Sequence, residues 1–323
     1  MSNNSTNLLF FIFMMMGIII SISSNNWLGC WMGIEVNMIS FLPVMIDSMS
    51  IYTSESMMKY FIIQSMGSSL FFVSIVFMNI YDMMYIIMIS LLIKIGCPPF
   101  HMWYPSVMDG LMWMSCFLLS SVQKFIPLVM LSYFNSNMIL FVIMSSLWGS
   151  ISGLNYSSMR KIVAYSSIYN LGWIISGLMI NNYTWLMYFI VYSINLLMVC
   201  NIFSTFSVNY LNQLFMLRSQ YIQSLMIMII FMSMGGLPPF LGFLPKLIMI
   251  YCLIVNNMIF SCLILVISAL LVMFFYLRVV FTGLLINSLS MKLMIFVFSW
   301  KFYVFGVISL TGMLLLMFTN LYF

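Results

Sequence analysis

Charge is what this sequence has least of. Ten Lys and Arg, five Asp and Glu and one His are spread over 323 residues, so charged residues make up 5% of the chain, against about a quarter in soluble domains. That scarcity excludes a soluble globular protein, and no nucleic-acid partner is expected. Alanine is nearly missing as well, present only at Ala164 and Ala269. Residues with GC-rich codons are rare while Met, Ile, Phe, Tyr, Asn and Ser crowd the chain, as a strongly AT-biased genome would produce. An animal mitochondrial genome is the expected source, and an AT-rich bacterial symbiont the alternative. With His101 as the sole histidine, paired haem ligation and histidine metal clusters are excluded. The six cysteines form no CxxC and fall mostly in apolar runs, as packed thiols do. No GxGxxG, P-loop or other cofactor motif occurs.

What is there is apolar. Hydrophobic residues make up 64% of the chain, and its mean hydropathy is +1.16. A bilayer core needs roughly 20 apolar residues per helix, because each backbone amide must bond within its own segment. Apolar runs between polar breaks predict about eleven spans, near 8–23, 27–46, 57–78, 83–97, 111–134, 137–154, 160–180, 183–207, 221–253, 258–286 and 300–321. The expected fold is therefore all-α and polytopic, with residues 1–323 forming a single transmembrane domain. Met1 to Asn7 is polar but uncharged, so neither a signal peptide nor an import sequence is expected. The loops on the N-terminal side hold or flank Lys59, Arg160, Lys161, Arg218, Lys292 and Lys301, and the opposite loops hold no Lys or Arg. This asymmetry places the N-terminus in the matrix and the C-terminus toward the intermembrane space.

Two of these spans are irregular. The fourth is too short to cross alone, and the ninth is too long and carries Gly235-Gly236-Leu237-Pro238-Pro239 in its middle. Both are predicted to be broken helices. Gly96-Cys97-Pro98-Pro99-Phe100 recurs as Gly236-Leu237-Pro238-Pro239-Phe240 in spans of opposite parity. That is the pattern of an inverted-topology repeat, whose interrupted helices flank an ion pathway.

Against this background a few charges are conspicuous. Glu35 and Lys124 lie in the middle of expected helices, Lys94 just before one break and Lys246 just after the other. A charge at the bilayer centre costs roughly 2.5 to 3.5 kcal/mol on insertion scales, so four of them cost about 10 to 14 kcal/mol before any pairing. A function is the expected reason, with a static buried ion pair as the alternative. A desolvated lysine can release its proton near neutral pH, whereas arginine stays charged. Glu35, Lys94, Lys124 and Lys246 are thus the candidate proton-transfer residues, the carboxylate acting as the switch. Lys59, within a turn of its expected helix start, is either a further member or a side chain snorkelling to the interface. His101, at a helix break, is a candidate gating or water-chain residue. Arg278, about two turns inside its span, is expected to snorkel.

The strings around these residues are WMGIEVN at 31–37, SESMMKYF at 54–61, KIGCPPFHMW at 94–103, QKFIP at 123–127, GLNYSSMRKIVAYSS at 153–167 and GGLPPFLGFLPK at 235–246. In sequence and order they resemble the antiporter-like membrane subunits of respiratory NADH:ubiquinone oxidoreductase, complex I, over residues from about 27 to 250. In this family Ala-Pro stands where this chain has Pro98-Pro99, so the five-residue repeat is in part this chain's own. The resemblance implies an antiporter-like fold in the mitochondrial inner membrane. It implies proton translocation driven by quinone reduction elsewhere in the complex, with no cofactor or metal on this chain. Its partners would be lipid and the other membrane-arm subunits, in an obligate hetero-oligomer. The family's proton-path residues fall on Glu35, Lys94, Lys124 and Lys246. A standalone cation/proton antiporter and a non-conducting membrane scaffold are the competing expectations.

Overall fold

The structure, a computed structural model, describes residues 2–46, 50–78, 80–81, 83–134, 137–180, 183–216 and 221–285, with Gly306 and Ser309. Apart from those two residues, the eleventh span expected at 300–321 lies outside the described residues, as do Arg218, Lys292 and Lys301. The described chain is almost wholly helical and groups into two compact units, Met1–Ser136 and Asn137–Phe323. Among the described residues, seven spans are long and apolar enough to cross a membrane, and shorter apolar helices lie between them.

The first unit holds α1 (Ser2–Ser23), α2 (Trp27–Val44), α3 (Ile51–Phe77), α4 (Met84–Ile95), α5 (Trp103–Gly110), α6 (Trp113–Ser120) and α7 (Val122–Leu131). Helices α1 and α2 cross where Gly17 meets Gly33. A Cβ on Gly33 would stand 2.7 Å from the Gly17 carbonyl oxygen, so only small residues let the backbones approach this closely. Helix α3 begins six residues earlier than the hydropathy suggests. Ser50 caps it by accepting from the Thr53 amide at 3.2 Å, and the Thr53 hydroxyl oxygen accepts in return from the Ser50 amide at 3.3 Å, a reciprocal capping box. Lys59 therefore lies two turns inside α3, not near its start.

The second unit holds α8 (Ile139–Ser152), α9 (Met159–Ile180), α10 (Thr184–Phe206), α11 (Tyr221–Gly235), α12 (Phe243–Val255) and α13 (Ile259–Leu285). Helix α9 is its core, buried from Met159 to Leu178 except at Arg160 and Lys161, and α8, α10, α12 and α13 pack around it. Arg278 does not snorkel. Its guanidinium donates to the carbonyls of Leu154 at 2.7 Å and Tyr156 at 2.8 Å, tying α13 to the turn that follows α8. Outward faces remain apolar, with Leu8, Ile19, Leu270 and Phe274 exposed, as a lipid-facing surface requires.

Both expected breaks are present, and they are built alike. Helix α4 ends at Gly96 with φ 76°, and α11 is followed by Gly236 with φ 77°, a left-handed conformation open to glycine at no steric cost. In each, the next amide turns back to a carbonyl of the helix: Cys97 N–H to Leu92 O at 3.0 Å, and Leu237 N–H to Met232 O at 3.3 Å. This is the Schellman closure. A turn follows in both, with the Phe100 amide donating to the Cys97 carbonyl and the Phe240 amide to the Leu237 carbonyl, each at 2.9 Å. The recurring five residues thus share a Schellman closure and the turn after it, while the cis peptide at Pro98-Pro99 belongs to the first break. The Leu241 amide, released by the second break, donates to the Ser309 carbonyl at 3.0 Å.

A third interruption is absent from the hydropathy. The span expected at 111–134 divides at Ser121, between α6 and α7. Pro127 lacks the amide that would bond the Gln123 carbonyl and crowds that turn. The Ser120 hydroxyl donates back to the Cys116 carbonyl at 2.8 Å and the Ser121 hydroxyl to Phe117 at 2.6 Å, contacts that bend helices. Lys124 consequently sits in the first turn of α7, not mid-helix. The segment between the spans expected at 83–97 and 111–134 carries α5.

Candidate functional site

Lys94, Lys124 and Lys246 are all buried, with relative exposures of 4%, 2% and 8%, and each stands within a turn of an interruption. Lys94 occupies the last turn of α4, whose negative dipole end favours an ammonium. Lys124 and Lys246 occupy the first turns of α7 and α12, where the positive dipole end opposes one. The three cations therefore sit in unlike backbone fields.

In the first unit the Lys94 stem runs against Gly67, where a Cβ would lie 3.0 Å from its Cγ. Its Nζ is buried and makes no hydrogen bond. The backbone beside it is fixed, since Gln64 Nε2 donates to the Lys94 carbonyl at 3.0 Å. Glu35 is half-buried on α2. Its charge reaches Lys94 and Tyr60, but it forms no ion pair; among the described residues the salt bridge found is Lys59 with Glu55.

Helix α7 is anchored beside Lys124 by a polar chain. The Tyr60 hydroxyl donates to Gln123 Oε1 at 3.1 Å, and Gln123 Nε2 donates to Asn37 Oδ1 at 3.1 Å. Three helices, α3, α7 and α2, are joined through the residue next to the lysine. Lys124 Nζ lies 4.2 Å from the centre of the Tyr104 ring, and the Cys97 thiol is within electrostatic range of it. The structure thus brings Glu35, Lys94 and Lys124 into one packed unit around the first break.

The other two candidates fall elsewhere. Lys59 is half-exposed and pairs with the exposed Glu55 at 2.5 Å along α3, a surface pair worth about 0.3 to 0.5 kcal/mol. His101 is buried in the turn after the break, where its ring hydrogen-bonds the Pro99 backbone and its carbonyl accepts from the Tyr104 amide at 3.0 Å. It holds the turn that leads into α5.

In the second unit Lys246 reaches back across its own break. Its Nζ donates to the Gly235 carbonyl at 2.6 Å, at the C-terminal end of α11, and lies 5.7 Å from the centre of the Tyr169 ring. Beside it is a cavity of about 10 Å³ lined by Asn170, Tyr188, Asn195, Ser233 and Lys246 among others, room for one water-sized sphere. The Tyr188 hydroxyl donates to Asn170 Oδ1 at 2.8 Å, and the Ser233 hydroxyl points to Asn195 Oδ1 at 3.5 Å. Apart from Lys246 this lining is uncharged, so the cost of burying a charge does not pick its other members out of the sequence. Its visible signal is an Asn or a Ser interrupting otherwise apolar runs. Among the described residues no three His, Cys, Asp or Glu side chains converge as metal ligands.

Residues 79–272 match the membrane family described as NADH:quinone oxidoreductase/Mrp antiporter, TM. The NADH-ubiquinone oxidoreductase chain 2 of Anopheles gambiae is 41% identical over 297 residues, covering 87% of each chain. This chain belongs to the NADH-ubiquinone oxidoreductase chain 2 family. The chain 2 of Locusta migratoria is similarly related, 38% identical over 88% of this chain and 87% of its own. The chain 2 fold is also that of a chain in respiratory complex I from Thermus thermophilus with bound aureothin. That chain has a TM-score of 0.83 and 18% identity, over 96% of this chain and 78% of its own. The antiporter-like, multi-pass helical fold expected from the sequence is thereby established.

Proposed function

We propose that this chain is a proton-translocating membrane-arm subunit of mitochondrial NADH:ubiquinone oxidoreductase, without a cofactor of its own, assembled with other membrane subunits. Residues 1–323 act as one antiporter-like domain. Protons pass along Glu35, Lys94, Lys124 and Lys246 when neighbouring subunits transmit the energy of quinone reduction. The observation that carries this reading is the burial of three lysines beside three helix interruptions. Interrupted helices put unpaired backbone groups and polar side chains at membrane depth, a cost tolerated where they line a pathway. A scaffold whose charges merely pair would hold them in ion pairs, yet Lys94 and Glu35 form none. Membership of the chain 2 family favours the complex over a standalone antiporter.

Glu35 tests the switch. Glu35→Gln keeps size and hydrogen bonding but removes the charge felt by Lys94. The complex is expected to assemble normally while coupled proton pumping falls several-fold. Wild-type pumping from an assembled Glu35→Gln complex would remove this carboxylate from the path.

Orientation is proposed from the loop charges. With the N-terminus in the matrix and the C-terminus toward the intermembrane space, a membrane-impermeant label applied from the intermembrane side should reach an epitope on the C-terminus and spare the start of α9 at Arg160 and Lys161. The opposite labelling pattern reverses the faces.

A further inference from the structure

We propose that the face of the Tyr104 ring is the seat of the Lys124 ammonium, making Tyr104 a positioning residue for proton transfer, an inference that rests on the lysine-relay reading above. Lys124 Nζ stands 4.2 Å from the ring centroid, well inside the roughly 6 Å over which a ring's negative face attracts a cation. Tyr104 is 1% exposed and Lys124 2%, so water screens the contact little.

The ring is held on two sides. The Tyr104 amide donates to the His101 carbonyl at 3.0 Å, fixing the backbone at the start of α5. The Trp103 ring stands edge-on to it, with centroids 5.6 Å apart. A Cβ on Gly96 would lie 3.3 Å from Tyr104 Cβ, so the left-handed glycine that ends α4 also lets Tyr104 approach the break. The same Schellman turn that follows Lys94 thereby places the ring on which Lys124 rests.

Such a seat discriminates by charge. An ammonium is attracted to the ring face and a neutral amine is not, so the contact strengthens when Lys124 takes a proton and loosens when it gives one up. A carboxylate in that position would bind the ammonium more tightly and oppose release; a ring attracts it without adding a second formal charge. The second unit carries the same pairing in looser form. Lys246 Nζ lies 5.7 Å from the Tyr169 ring, whose hydroxyl is fixed by accepting from Trp173 Nε1 at 2.7 Å.

The test uses the intact, assembled complex in sealed vesicles and reads protons translocated per electron pair beside the uncoupled electron-transfer rate. Tyr104→Phe, which keeps the ring face, is expected to pump within about twofold of wild type. Tyr104→Leu and Tyr104→Met, which remove it, are expected to lose coupled pumping by about tenfold, equivalent to ~1.4 kcal/mol, with uncoupled electron transfer retained. Loss of pumping in an assembled Tyr104→Phe complex would show that the hydroxyl and not the ring face matters, and would overturn the proposal. So would wild-type pumping in either aliphatic variant. Lys124→Met separates the two levels: if it pumps normally the relay itself is wrong, whereas if it fails while Tyr104→Leu pumps normally, only the ring assignment is.

Discussion

An assembled complex carrying Lys124→Arg is expected to pump nearly as poorly as one carrying Lys124→Met, each at least about tenfold below wild type. Arginine keeps the positive charge and can still stack on the Tyr104 face, but it does not deprotonate in any useful pH range. If Lys124 only supplied a fixed charge in the first turn of α7, arginine would serve and methionine would not. If it carries a proton that must leave, both fail. Assembly is checked separately, because Lys124 is 2% exposed and the larger guanidinium must fit a packed site. A functional arginine variant beside a dead methionine variant would make Lys124 an electrostatic anchor.

Lys246 should show the second large effect, with a structural component beside the proton-transfer one. Its Nζ satisfies the Gly235 carbonyl at 2.6 Å, and a Cβ on Gly236 would stand 2.8 Å from its Cδ, so the stem fills the break between α11 and α12. Lys246→Met keeps much of that volume but removes the donor, leaving a buried carbonyl unpaired at a cost of about 1 to 3 kcal/mol. Coupled pumping is expected to fall about tenfold or more, and thermal disassembly of the complex to occur at a lower temperature. Lys246→Gln, whose amide can still donate toward that carbonyl, should recover much of the thermal stability and none of the pumping. Recovery of pumping in the glutamine variant would show that Lys246 braces the break and carries no proton.

How much of this the sequence discloses depends on the kind of signal. The two Gly-x-Pro-Pro-Phe breaks were legible because glycine and proline act through the local backbone, and Gly96 and Gly236 adopt the same left-handed turn. The buried lysines were legible because their cost in an apolar run is independent of neighbours. The interruption at Ser121 was not, since hydropathy averages across it, and its causes, Pro127 and the back-bonded hydroxyls of Ser120 and Ser121, weigh little on any apolar scale. Nor could the sequence tell buried from exposed within α3. Lys59 resembles the other lysines on hydropathy, but it lies on the outer face and pairs with Glu55. The uncharged partners Gln64, Gln123, Asn170 and Asn195 are defined by three-dimensional neighbours, such as the Lys94 carbonyl that Gln64 reaches across 30 positions of chain.

The most direct measurement of the account is the number of protons moved per electron pair by an assembled complex carrying Lys94→Met in sealed vesicles, beside wild type at matched electron-transfer rates. Lys94 is the buried lysine with no hydrogen bond to lose, so its removal disturbs the fold least. With Lys94 in the path, the variant is expected to show a lower proton yield per electron pair, or electron transfer slowed to the rate at which protons can still cross. An unchanged yield at an unchanged rate would mean that Lys94 carries no proton across the membrane.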